Sequence, residues 1–175
     1  LGNPGATEEE MKEALKKVNL LSFIEAQGGL EMPLLSNGSN ISGGQKQRLS
    51  LARALLHDTP VYIFDEATSN IDAESEEMIM EVIHELAKSR TILLISHRLA
   101  NVVGSDCIFM LENGRVTEAG KHEELLKKGG SYSRLFKEQR ELERYSEKRK
   151  ESSAGRHKES FVETQRDTGM EEPGH

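Results

Sequence analysis

The stretch "NISGGQKQRLSLARALLHDTPVYIFDEATSNID", residues 40–72, decides the fold because it joins a helix, a stop and a strand in a short span. Ser42 precedes a Gly-Gly pair and is a good N-cap for the helix that follows. Pro60 ends that helix, since a proline removes a backbone donor and clashes with the preceding turn. The apolar run VYIF then leads to two adjacent carboxylates, Asp65 and Glu66.

The segment Val61–Phe64 is apolar at every position. This pattern is typical of a central parallel strand that is covered by helices on both faces. Asp72 is a predicted N-cap for the next helix, and Thr91–Ile95 is a second strand of the same apolar type. Strand, helix and strand in this order predict a βαβ unit, so the fold class is α/β with a mostly parallel sheet flanked by helices. The predicted buried face of the helix consists of Ile79, Val82, Ile83 and Leu86.

Helices and turns are also predicted on both sides of this unit. Thr7 and Glu10 form a capping-box pattern for a helix that ends near Asn19. Asn113-Gly114 is a two-residue turn between two short strands. The remaining predicted elements are a loop at 27–40, a short helix at 122–127 and an amphipathic helix that starts near Tyr132.

Composition limits the classes of protein that this chain can represent. The 175 residues carry a net charge of −7, and no stretch concentrates Lys and Arg without nearby acids, so we expect no nucleic-acid partner. The single cysteine, Cys107, excludes an internal disulfide. The apolar runs are far shorter than the roughly 20 residues that span a bilayer. Residues 138–175 are highly charged and are predicted to form a partly helical, then disordered, tail whose simplest interpretation is a solvated extension.

Three polar side chains follow the two predicted parallel strands. Asp65 and Glu66 end the first strand, and His97 follows the second, so all three are expected at one edge of the sheet, where ligands bind in open α/β folds. An acidic pair there suits Mg²⁺ held through water and an activated water molecule, and a histidine suits a phosphate oxygen. Taken singly, the carboxylates could instead cap the following loop, and the histidine could be an ordinary polar loop residue.

The start of the helix after Ser42 is a candidate phosphate-binding element. Helix N-termini present N–H groups and the positive end of a dipole, and Gly43 and Gly44 allow close approach of a backbone or a phosphate. Ser-Gly-Gly alone is equally compatible with an ordinary glycine-rich turn.

In combination these segments resemble the nucleotide-binding domain of ATP-binding cassette (ABC) proteins. Ile41–Gln45, "ISGGQ", is similar to the family signature LSGGQ, with Ile in place of Leu. Val61–Glu66, "VYIFDE", resembles the Walker B strand with its catalytic glutamate. Ser69–Asp72, "SNID", resembles the D-loop, and Ser96–Arg98, "SHR", resembles the switch-histidine loop. The resemblance extends over residues 1 to about 137.

The resemblance implies ATP and Mg²⁺ as cofactors and assigns expected roles to the site residues. Glu66 and His97 are expected to be catalytic, and Asp65 is expected to hold the metal. In the family, two cassettes sandwich ATP head to tail, and the signature of one closes over nucleotide bound to the other. On that basis Gly44 is expected to lie where a side chain would collide with the nucleotide of a second cassette. The nucleotide-binding residues implied in this way are Ile41, Ser42, Gly43, Gly44, Gln45 and Asp72.

The family pattern also predicts a division of the chain and a missing part. Residues 1–57 are expected to form part of the helical subdomain with the signature, and 58–137 the C-terminal part of the RecA-like ATPase subdomain. Residues 138–175 are the tail. The sequence contains no G-x-x-x-x-G-K-[ST] phosphate loop and starts at Leu1 without a Met, so we expect a fragment, the back half of a cassette. Alone it is expected to be inactive, with an incomplete core.

Two further segments narrow the resemblance to exporters. Leu1–Ile24 is similar to the helical subdomain of exporter cassettes, and Glu112–Phe136 is similar to their closing segment. The implied function is ATP hydrolysis coupled to substrate export at the cytoplasmic face of the cell membrane. The implied partners are a second cassette and the coupling helices of a transmembrane domain. The alternatives are a soluble ABC-type ATPase acting on DNA or ribosomes, and a truncated, non-catalytic cassette that only binds another cassette.

Overall fold

The computed structural model describes residues 3–146, and the chain divides into two compact units after Asn101. The first unit contains α1 (Glu8–Lys17), α2 (Leu21–Ala26), α3 (Gly43–Leu55), β1 (Val61–Asp65), α4 (Ala73–Ala87) and β2 (Thr91–Ile95). Three short 3₁₀ turns lie at Gly29–Glu31, Ser36–Gly38 and Leu99–Val102. The helix α2 was not predicted, and the other helices and strands of this unit confirm the sequence-based prediction.

The strands β1 and β2 pair in parallel, with Val61 opposite Thr91 at one end and Asp65 opposite Ile95 at the other. The helix α4 connects them, as the predicted βαβ unit requires. This confirms the α/β fold class with a parallel sheet and helices. Because the strands run in the same direction, the residues that follow both of them lie at one edge of the sheet.

One hydrophobic core joins the first three helices to the βαβ unit. Helix α1 contributes Leu15, α3 contributes Leu51, and the two strand residues Tyr62 and Phe64 stack with their rings nearly parallel. The core residues of α4 are Ile79, Met80 and Ile83, of which Met80 was not predicted. A boundary between two subdomains near residue 57 stays a prediction.

The second face of the two-stranded sheet is open. Tyr62 and Phe64 are buried, whereas the alternate residues Val61 and Ile63 are 50% and 66% exposed. Leu93 of β2 is 49% exposed on the same pattern. The prediction of cover on both faces is therefore wrong for the described residues. The single crossover helix α4 packs on one face, and the described part of the chain leaves the other face accessible to solvent.

The second unit begins with the predicted hairpin. β3 (Ile108–Glu112) and β4 (Arg115–Gly120) pair antiparallel, with an irregularity between Met110 and Leu111. Asn113 and Gly114 both have positive φ, of 51° and 75°. That combination is the one a type I′ turn requires, and Asn-Gly is the residue pair that adopts it most readily.

Two helices follow the hairpin in the described part of the second unit: α5 (His122–Lys128) and α6, which is helical over 131–146. Tyr132 is fully buried, its hydroxyl lies 2.7 Å from Nδ1 of His122, and burial raises the pKa of the tyrosine. Both helices were predicted. The part of the predicted tail at 138–146 is helical, and the disorder predicted for its later part lies outside the described residues. None of the helices in 3–146 has the length and apolar character needed to cross a bilayer.

The open face predicts a difference between two matched substitutions. Ile83→Ala removes a side chain that is 2% exposed, and it should lower the free energy of unfolding by about 2–5 kcal/mol. Ile63→Ala, at 66% exposure, should cost no more than about 1 kcal/mol. Urea unfolding of the 175-residue chain, followed by circular dichroism, measures both. Equal losses would mean that the outer face of the sheet is covered in solution.

Candidate functional site

Glu66, the residue after β1, has a backbone conformation that is unusual for a residue other than glycine. Asp65 is the last residue of β1, and the N–H of Glu66 donates to the carbonyl of Ile95 at 3.0 Å. Glu66 has a φ of 47°, in the left-handed region. A residue with a Cβ pays about 1–2 kcal/mol for that conformation. Such strain persists only where the surroundings hold it, here by pairing to β2.

This turn brings Glu66 next to His97. Oε1 of Glu66 lies 3.6 Å from Nδ1 of His97, and both side chains are more than half exposed. The sequence placed these two residues and Asp65 at one sheet edge, and the structure does the same. Their chemical roles stay predictions.

The carboxylate of Asp65 suits a weakly held hard cation. Asp65 is exposed and adjoins Glu66, so both offer oxygen ligands at the sheet edge. Residues 3–146 contain no group of three or more His, Cys, Asp or Glu side chains arranged to hold a metal ion. One or two carboxylates are the usual protein share of a Mg²⁺ site in which phosphates and water complete the shell. The donor set therefore fits Mg²⁺ and does not fit a dedicated metal cage.

The glycine-rich segment starts α3 with a complete capping box. Oγ of Ser42 accepts from the N–H of Gln45 at 3.2 Å, and Oε1 of Gln45 accepts from the N–H of Ser42 at 2.8 Å. Ser42 as the N-cap of this helix confirms the prediction. The side-chain oxygen of Gln45 is used within the chain, which sequence reasoning did not foresee.

Asp72 caps α4 in a similar way. Its Oδ1 accepts from the N–H of Ser75 at 2.8 Å, which confirms the predicted cap. The backbone and side-chain hydrogen bonds from Ser75 lower the pKa of Asp72. The carboxylate therefore stays ionised at the positive end of the α4 dipole.

The first turns of α3 and α4 are in direct contact at Gly44, which is buried. A Cβ at Gly44 would overlap Oγ of Ser75 and lie 2.6 Å from its Cβ. At Gly43 the nearest atom would be the carbonyl oxygen of Asn70, at an ordinary 3.7 Å. We expected a side chain at Gly44 to meet the nucleotide of a second cassette. The structure adds an obstacle within the chain, Ser75 of α4, and the collision with a second cassette's nucleotide stays a prediction.

A buried polar cluster beside the site was missed. Glu76 of α4 is 6% exposed, and its Oε2 forms an ion pair with Nη1 of Arg98. Its Oε1 accepts from Nδ2 of Asn101 at 2.9 Å, and the same amide reaches Oγ1 of Thr68 at 3.3 Å. The sequence did contain a sign of it. Glu76 lies three residues before Ile79 and therefore on the buried stripe of α4, where a charged residue needs a partner.

Comparison with known proteins identifies the family. The family model described as ABC transporter matches residues 3–69. The chain belongs to the ABC transporter family. An "Uncharacterized ABC transporter ATP-binding protein" from Haemophilus influenzae is 54% identical over 142 residues, which cover 81% of this chain and 25% of that protein. An "ATP-dependent lipid A-core flippase" from Francisella tularensis is 49% identical over 131 residues, 74% of this chain and 22% of that protein.

A solved structure agrees with this assignment. A bacterial Atm1-family ABC exporter with ATP bound matches with a TM-score of 0.74 and 35% identity, over 79% of this chain and 24% of that one.

A β-(1→2)glucan export ATP-binding/permease protein from Bradyrhizobium diazoefficiens is 45% identical over 139 residues, 79% of this chain and 23% of that protein. This ABC transporter chain thus spans about a quarter of the length of the relatives that it matches.

The contact between the signature-like helix and α4 predicts unequal effects at the two glycines. Gly44→Ala forces α3 away from Ser75 and should lower the free energy of unfolding by about 1–3 kcal/mol. Gly43→Ala, where the added Cβ would make only an ordinary contact, should be neutral or slightly stabilising, because alanine favours a helix. Thermal or urea unfolding of the two variants tests this. A Gly44→Ala variant as stable as Gly43→Ala would show that the two helices do not pack as described.

Proposed function

We propose that this chain is the C-terminal part of the ATP-hydrolysing domain of an ABC exporter, in which hydrolysis drives a substrate across a membrane. The observation that carries the proposal is the pair Glu66 and His97, 3.6 Å apart at the carboxyl edge of a parallel strand pair. The exporter assignment is supported by the relatives, one described as a lipid A-core flippase and one as a glucan export protein.

Glu66 is the proposed general base. Its exposed carboxylate orients a water molecule and takes up its proton as the water oxygen bonds to the terminal phosphorus of ATP. The bond from that phosphorus to the bridging oxygen breaks, and ADP leaves. His97 hydrogen-bonds an oxygen of the transferred phosphoryl group, and its position 3.6 Å from Glu66 allows both to face the same phosphate.

Asp65 is the proposed metal residue. It would hold Mg²⁺ through the water shell of the ion, in keeping with its exposure at the end of β1. When bound, Mg²⁺ neutralises charge on the phosphates. Asp65 itself keeps a fixed place because it pairs with Ile95 of β2.

The signature-like segment is proposed to face a second site. The residues assigned to ATP on another cassette are Ile41, Ser42, Gly43, Gly44, Gln45 and Asp72. Their support is the contact between the first turns of α3 and α4, which gathers the segment Ile41–Gln45 and Asp72 into one surface. The proposed partners are a second cassette and the coupling helices of a transmembrane domain. The proposed place is the cytoplasmic face of the membrane.

The central test is Glu66→Gln in the full-length protein that contains this chain. Glutamine keeps the shape of the side chain and cannot accept the proton, so ATP binding should persist while turnover falls at least about 10²-fold. Steady-state ATPase assays and nucleotide-binding titrations measure the two quantities. Glu85→Gln, at an exposed position near the end of α4, is the matched control and should turn over normally. A loss of less than a few-fold in Glu66→Gln removes Glu66 as the base.

The same proposal predicts that residues 1–175 alone neither hydrolyse ATP nor bind MgATP tightly. Phosphoryl transfer requires a triphosphate gripped by backbone N–H groups and a lysine, and this sequence has no match to that phosphate loop. The acidic pair Asp65 and Glu66 has the same sign as the nucleotide. Calorimetric titration with MgATP, on a sample whose helix content is checked by circular dichroism, is the measurement. A dissociation constant in the low micromolar range would reveal a phosphate site elsewhere in the chain.

A further inference from the structure

We propose that Glu76 is a positioning residue, which acts through Arg98 and Asn101 to hold the His97 loop and the segment after Glu66 in place for hydrolysis. The proposal rests on the proposed ATPase function. Glu76 does not belong to the residues assigned to ATP or Mg²⁺ above, and it is one turn inside α4.

The carboxylate of Glu76 is buried and fully used. Its side chain is 9% exposed, Oε2 pairs with the guanidinium of Arg98, and Oε1 accepts from Asn101 at 2.9 Å. A buried carboxylate without a counter-charge is strongly unfavourable. The ion pair with Arg98 therefore holds the loop after β2 against the first turn of α4. The two partners come from a single loop, and this fixes the loop at two points.

The Arg98 branch fixes the backbone around His97. Oγ of Ser96 accepts from the N–H of Arg98 at 3.0 Å and donates to its carbonyl at 3.1 Å. His97 lies between these two residues, and both hydrogen bonds tie the peptide groups that flank Arg98 to the side chain of Ser96. The ion pair with Glu76 then anchors this small turn to α4. A shift of Arg98 therefore moves the imidazole directly.

The Asn101 branch reaches the segment after Glu66. Nδ2 of Asn101 also donates to Oγ1 of Thr68 at 3.3 Å. The N–H of Ser69, the next residue, donates to the carbonyl of Glu66 at 2.9 Å. Both members of the proposed catalytic pair thus stand within two residues of a group that contacts the Glu76 cluster.

The first turn of α4 also connects the cluster to the signature-like segment, Ile41–Gln45. The N–H of Glu76 donates to the carbonyl of Asp72 at 3.0 Å, and Asp72 and Ser75 lie against Gly44 of α3. A displacement of α4 at its N-terminus would therefore reach the proposed catalytic pair through Glu76. This is the physical reason to expect an effect on turnover and not on stability alone.

The first variant is Glu76→Gln in the full-length protein. Glutamine keeps the shape and an acceptor for Asn101 but loses the charge that holds Arg98. Turnover should fall about 10-fold, because even a small misplacement of catalytic groups lowers the rate of the chemical step. The KM for ATP should change by less than about two-fold, since the variant removes no group assigned to nucleotide binding.

The decisive measurement is a double-mutant cycle with His97→Ala. If Glu76 acts through His97, Glu76→Gln should cost little further turnover in the His97→Ala background. Full additivity of the two losses overturns the proposal. Hydrogen exchange gives a readout without activity, because the amides of Arg98 and Asn101 should exchange faster in Glu76→Gln.

Two controls separate positioning from general destabilisation. Asp58→Asn breaks the ion pair with Arg90, 2.6 Å long, which lies before β1 and β2 at the opposite edge of the sheet. It should leave kcat unchanged. If Glu76→Gln fails to fold, Arg98→Lys carries the test, since lysine keeps the charge but loses the forked geometry and should lower kcat by several-fold.

The outcomes for the two proposals are distinct. A full-length protein without ATPase activity, or with a Glu66→Gln variant of normal turnover, contradicts the proposed function. If Glu66→Gln behaves as expected while Glu76→Gln and Arg98→Lys both turn over like the wild type, the proposed function stands. In that case Glu76 has no positioning role.

Discussion

The parallel pairing of β1 with β2 is the constraint on which the rest of the first unit depends. It sets Asp65 opposite Ile95. The N–H of Glu66 then donates to the carbonyl of Ile95, which is the last hydrogen bond at the carboxyl edge of the sheet. A slip by one residue would exchange the two faces of each strand and expose Tyr62 and Phe64. The burial of those two rings therefore fixes the position of Glu66 beside His97.

The crossover helix α4 transmits this constraint to the polar groups. Its apolar stripe packs on the sheet, while its first turn carries the Asp72 cap, the contact of Ser75 with Gly44, and the buried Glu76. A helix start is suited to this because its unpaired N–H groups and dipole stabilise acidic residues. The packing of a few apolar side chains further along α4 thereby places polar groups that are distant in the sequence.

Elements with local determinants could be predicted from the sequence, and features set by distant contacts could not. The cap at Asp72 and the Asn113-Gly114 turn depend on neighbouring residues, and both are confirmed. The six-residue α2 is too short to show a period, and its N-cap, Leu20, makes no side-chain hydrogen bond. The open sheet face was not predicted from the strands themselves. An apolar composition indicates that a strand can be buried, but it does not indicate which element buries it. The packing role of Gly44 required knowing where Ser75 lies.

Glu66 and Glu76 are the same residue type in opposite environments, and the contrast explains their different proposed roles. Glu76 is desolvated, so its charge must be matched by Arg98, and both of its carboxylate oxygens already have partners within the chain. Glu66 keeps a hydrated carboxylate on a strained backbone, where a water molecule can reach it. A base needs both an accessible oxygen and a fixed position. In this chain Glu66 supplies the accessible oxygen, and the strand pairing and the Glu76 cluster supply the fixed position.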